Sequence, residues 1–205
     1  MVRRTGRRER AGSLRRALAL EWTLIGYNVL EAAASILFGV WAGSVALIGF
    51  GLDSVIEVGS ALLLVWRLRA EQRGLAYEAK ERTARRLIGW SFLVLAGYVG
   101  WEAAGHLVGG VAPAGSLPGV VLAILSLIVM PILGLAKLRI AGRIGSRALR
   151  ADAMETLVCA YLSFTLLLGL AMNAWLGWWW ADPAAALAML PLLLHEGWEG
   201  VQADE

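Results

Sequence analysis

Residues 44–66 read SVALIGFGLDSVIEVGSALLLVW, and only Asp53 and Glu57 carry charge in that stretch. A helix needs about 20 apolar residues to cross a bilayer, so the segment is long enough to span. A carboxylate near the middle of a span costs roughly 2.5–3.5 kcal/mol even on lenient insertion scales. Two of them in one span therefore require a reason. Their i, i+4 spacing puts both on one helical face. Two like charges so close in a low dielectric persist only if protonated or if a cation sits between them.

Outward from this segment the chain repeats the pattern. It has 205 residues, of which 59% are hydrophobic and 17% charged, against about 25% charged in soluble domains. Five further spans are read at residues 17–41, 87–110, 117–136, 150–174 and 179–198. Backbone in lipid must satisfy its own hydrogen bonds, and barrel-type alternation is absent, so these are helices. The fold class is an all-α integral membrane protein of six transmembrane helices. The six-helix domain covers residues 17–198, between a basic tail at 1–16 and a short acidic tail at 199–205. The first apolar run is too long for a signal peptide and is read as a retained helix. The single cysteine, Cys159, excludes an intramolecular disulfide.

Charge sets the topology. The 19 Lys and Arg residues fall in three clusters. The first is Arg3, Arg4, Arg7, Arg8, Arg10, Arg15 and Arg16. The second, between spans two and three, is Arg67, Arg69, Arg73, Lys80, Arg82, Arg85 and Arg86. The third, between spans four and five, is Lys137, Arg139, Arg143, Arg147 and Arg150. With six spans all three lie on one side, and the positive-inside rule makes that side, and both termini, cytoplasmic. Trp22, Trp41, Trp66, Trp90, Trp178, Trp179, Trp180 and Trp198 fall near span ends, where indoles anchor at the headgroups. Topology and anionic lipid explain the basic tail, so no nucleic-acid partner is expected. Arg outnumbers Lys 17 to 2, a bias of GC-rich bacterial genomes, which points to a bacterial plasma (inner) membrane.

Span five carries a second pair at i, i+4, Glu155 and Cys159. Spans two and five run antiparallel in this topology, so Asp53 can lie level with Cys159 and Glu57 with Glu155. Three carboxylates and a thiol make a plausible tetrahedral divalent-metal site. No Lys or Arg is read in any span centre to neutralise them. Glu31, one turn beyond Asn28 in span one, is an accessory or proton-carrying candidate, as is Asn28 itself. Asp152 lies near the cytoplasmic surface, within reach of an arginine or of an incoming cation. His195 and Glu196 read as interfacial, and Asp182-Pro183 as the start of helix six. No Ser/His/Asp set, HExxH or phosphate loop occurs, so no enzyme is expected.

These residues resemble the membrane domain of the cation diffusion facilitator family over about residues 20–198. Asn28, Gly39, Gly43-Ser44 and Ala46-Leu47 fit the family's run into its second helix. Asp53 and Glu57 fall on its span-two ligand pair, and Ala151-Asp152-Ala153 followed by Glu155 and Cys159 resembles its span-five pair. Trp180-Ala181-Asp182-Pro183 resembles the opening of its sixth helix. The chain departs from the family in several places. Glu155 and Cys159 stand where His and Asp are commonest, and Phe50 stands where an Asp is usual. The histidine-rich loop and the C-terminal cytoplasmic domain are not found, as in the family's short branch. The resemblance implies export of a divalent cation by proton antiport and a homodimer formed through membrane helices. The thiol favours zinc, with manganese, iron or cobalt as alternatives, and no permanently bound cofactor is implied. The competing readings are a non-transporting metal sensor or regulatory subunit, and a proton-coupled small-molecule exporter.

Overall fold

The computed structural model describes residues 2–73, 78–110, 114 and 116–202. The side chains of residues 1–11, 71–85, 87, 88 and 147, which include part of the basic clusters, lie outside the described residues, as do residues 203–205 of the expected acidic tail. Six helices follow one another: α1 Val2–Ala42, α2 Val45–Arg73, α3 Glu78–Gly109, α4 Leu117–Ile144, α5 Arg147–Leu176 and α6 Ala181–Gln202. Among the described residues there is no strand. Helices α1 to α5 each contain a segment long and apolar enough to cross a membrane. Helix α6 falls short of that measure. It carries Asp182, Pro183, Pro191, His195 and Glu196, of which Asp182 is fully buried and Glu196 half-buried.

Local chemistry sets the breaks. Ser116 and Ser146 cap α4 and α5, accepting from Gly119 N at 3.1 Å and Leu149 N at 3.3 Å. Such caps satisfy amides that a first turn leaves unpaired. Helix α4 ends at Gly145 with φ of 66°, a left-handed C-cap that glycine adopts without a Cβ penalty. The helices also run past the apolar spans on the basic side. Helix α1 includes the stretch expected as a tail, and α4 continues eight residues beyond the expected end at 136.

Helix α2 is central and packs against α1, α3, α5 and α6, while α3 pairs with α6 and α4 with α5. Leu24, Phe50, Val99, Met130, Leu162, Leu166 and Met189 are fully buried between them. Phe50, standing where the family's usual Asp was expected, is thus a core residue. Val29, Leu30, Val94, Trp101, Ile132 and Trp175 face outward, as lipid-facing side chains do. Arg69 lies 5.5 Å above the Trp22 ring, which places that indole at the level of the second basic cluster. The α3–α6 contact is close enough to need glycine. A Cβ on Gly89 would sit 2.7 Å from Val201 N and 2.8 Å from Gly197 O.

Candidate metal centre

Two antiparallel helices, α2 and α5, carry the expected donors to one level. Asp53 (6% exposed), Glu57 (2%) and Cys159 (1%) are buried, and Glu155 is half-buried. Asp53, Glu57 and Glu155 line a void of about 10 Å³ together with Phe92, Val158, Leu192, Leu193 and Glu196. That is about the room one water molecule needs. The thiol of Cys159 neighbours Asp53, Glu57 and Glu31. The structure therefore brings together the three expected carboxylates, sets the sulfur beside two of them, and adds a fourth acid, Glu196, from α6. The donors surround the void without closing on a point. Among the described residues, no three His, Cys, Asp or Glu side chains form a ready-made metal cage.

Hydrogen bonding at this level is incomplete. Glu155 Oε2 accepts from Ser60 Oγ at 2.7 Å, but Glu155 Oε1 is buried without a hydrogen-bond partner. Asn28 on α1 is fully buried beside Glu57, which also lies next to Thr156. Glu31 Oε2 accepts from Ser54 Oγ at 3.0 Å, with Ser126 and Tyr27 close by.

A larger cavity, about 730 Å³, adjoins the void and shares Glu155, Glu196, Phe92, Val158 and Leu192 with it. Ser60, Arg67, Asp152, His195 and Glu199 also line its wall. These residues lie in the C-terminal halves of α2 and α6 and the N-terminal half of α5. The cavity therefore opens on the side of the basic clusters. His195 and Glu196, expected at the interface, are wall residues of this vestibule, and His195 Nε2 lies 3.3 Å from Glu199.

Two further polar assemblies were not foreseen. Lys137 was read as part of a basic connection, and no basic group was expected among the buried acids. That expectation is corrected. Because α4 continues to Ile144, Lys137 is inside the bundle and fully buried. Its Nζ lies 3.0 Å from Glu21 Oε2 on α1, bonds Asp152 Oδ2, and reaches Thr156 Oγ1 at 3.3 Å. Asp152 is thus paired with a lysine rather than an arginine. The available signal was Glu21 itself, an acid inside an apolar span and seven residues from Asn28, hence on the same helical face. At the opposite end, Asp182 does begin α6, but it is also fully buried. It accepts from Ser44 Oγ, from Val45 N at 3.0 Å and from Ala46 N at 3.4 Å. It therefore caps α2 from a different helix.

A multi-pass bundle with carboxylates gathered at its centre and a vestibule reaching them from one side has the form of an ion-handling membrane protein. Residues 22–201 match the cation efflux transmembrane domain, and the chain belongs to that family. It is also similar to an uncharacterized transporter, sll1263, of Synechocystis sp., at 24% identity over 180 residues, 84% of this chain and 58% of that protein. The chain thus spans less than two thirds of the length of that relative.

Proposed function

We propose that this chain exports a divalent transition-metal cation, zinc foremost, from the bacterial cytoplasm in exchange for protons. The observation that carries this reading is the convergence of the Asp53, Glu57 and Glu155 carboxylates on a void the size of a single water or ion. Asp53, Glu57 and Glu155 would bind the cation, and Cys159 would supply the sulfur donor that favours zinc over manganese or iron. Glu31, Asn28 and Asp152 would act as accessory groups. The positive-inside rule assigns the basic side to the cytoplasm, so the vestibule faces the cytoplasm and a cytoplasmic cation would reach Glu155 and Glu196 first. Metal affinity falls as ligands take up protons, so protons arriving from the far side would release the cargo. A proton-coupled small-molecule exporter is favoured only by the 730 Å³ vestibule, which is of ligand-binding size. The void at the acids is far too small for an organic cation.

The test is flux in proteoliposomes over a panel of zinc, cobalt, manganese and iron, with and without a pH gradient. Zinc flux driven by an opposing proton gradient, and lost in Asp53→Ala, is expected. Undiminished metal flux in Asp53→Ala would rule out this site. Competition by organic cations but not by metals would favour the small-molecule reading.

A further inference from the structure

We propose that Lys137 is the built-in counter-cation of the transport site, a positioning residue whose fixed positive charge sets how tightly the neighbouring carboxylates hold the cargo. The inference rests on the cation-export reading and deepens it. Among the described residues Lys137 is the one buried basic side chain. It joins three helices, with Glu21 on α1 and Asp152 and Thr156 on α5 gathered around an ammonium on α4. Its other charged neighbour is Glu57 on α2, and Asp152 in turn neighbours Glu155, one turn along α5. The ammonium is thus linked to the cargo carboxylates through α5: Thr156, which it reaches at 3.3 Å, follows Glu155 in the chain, and Asp152 lines the vestibule wall with Glu155.

By formal charge alone, the triad Glu21, Asp152 and Lys137 sums to about −1. Removing the ammonium makes this background more negative and strengthens cation binding. Removing Glu21 makes it neutral and weakens binding. Removing both restores the original sum. A purely structural staple gives no such ordering, because each single change then alters stability and leaves affinity alone.

Zinc flux and its KM are measured in proteoliposomes for the wild type, Lys137→Gln, Glu21→Gln and the double variant Glu21→Gln/Lys137→Met. Relative to the wild type, KM is expected to fall roughly tenfold in Lys137→Gln and rise by a similar factor in Glu21→Gln, as one charge at this range would produce. The double variant is expected to return close to the wild-type value. Should Lys137→Gln fail to fold, Glu21→Gln against the charge-balanced double variant still decides. Equal KM values among folded variants, or a double variant no closer to the wild type than either single, would overturn the inference while leaving cation export intact. An inactive wild type would sink the export reading and this inference with it.

Discussion

Glu57 shows most sharply what the centre is built to do. Both its oxygens are buried, and burying a carboxylate away from water is costly. On the export reading, a bound cation offsets that cost. Glu57→Gln should therefore leave thermal stability in detergent unchanged or raise it by a few degrees, while zinc flux is lost. A large drop in melting temperature would mean that Glu57 is a structural contact. Cys159 sets a second expectation at this scale. It neighbours Asp53 and Glu57 and is the single cysteine of the sequence, and thiolates select soft metals over hard ones. Cys159→Ser should lower zinc and cadmium flux relative to manganese, read from the same liposome panel. An unchanged metal order would remove the thiol from the ligand set.

At the scale of elements, six apolar runs and their basic flanks were legible because bilayer thickness and charge asymmetry act on composition alone. The α2–α5 pairing was legible for a similar reason: Asp53, Glu57, Glu155 and Cys159 repeat one spacing on two helices that topology makes antiparallel. The ends and the cross-links were not. Hydropathy drops at Lys137, so the span was closed at 136. The helix continues because Glu21 and Asp152 supply partners that lie 116 and 15 residues away in sequence. The role of Asp182 was hidden in the same way. Its place at the start of α6 was readable, but its bonds to Ser44, Val45 and Ala46 join residues more than 130 positions apart. Glu196 looked interfacial because nothing local shows which way α6 turns its polar side. Asp182→Ala deprives α2 of its cap and should cost about 1–2 kcal/mol, seen as a lower unfolding midpoint. It should also loosen the α2–α6 junction and raise hydrogen exchange at Val45 and Ala46. Protection unchanged at those two amides would show that Asp182 does not hold the junction.

Across the whole molecule the two halves of the bundle differ. Toward the basic side, residues of α2, α3, α5 and α6 line the vestibule, with α3 and α6 still in close contact at Gly89. Toward the other side α5 closes on α6 and α4 on α2. A Cβ on Gly169 would lie 2.6 Å from that of Ala185, one on Gly119 would lie 2.7 Å from Leu47, and Asp182 ties α6 to α2. The vestibule reaches the acidic centre from the basic side, and the proposed export requires the opposite side to open in turn. Thiol reactivity follows access, and the native Cys159 is 1% exposed, so introduced cysteines can report on each half. Leu63→Cys, on the vestibule wall, should react rapidly with a membrane-impermeant thiol reagent applied from the basic face. Leu170→Cys, 2% exposed in the closed half, should resist the reagent from either face. If export is zinc–proton antiport as proposed, an imposed proton gradient with zinc present should slow labelling of Leu63→Cys while Leu170→Cys becomes reactive from the opposite face. If both positions keep their rates under turnover, the vestibule is a fixed pocket, and the asymmetry between the halves is static architecture rather than one state of a transport cycle.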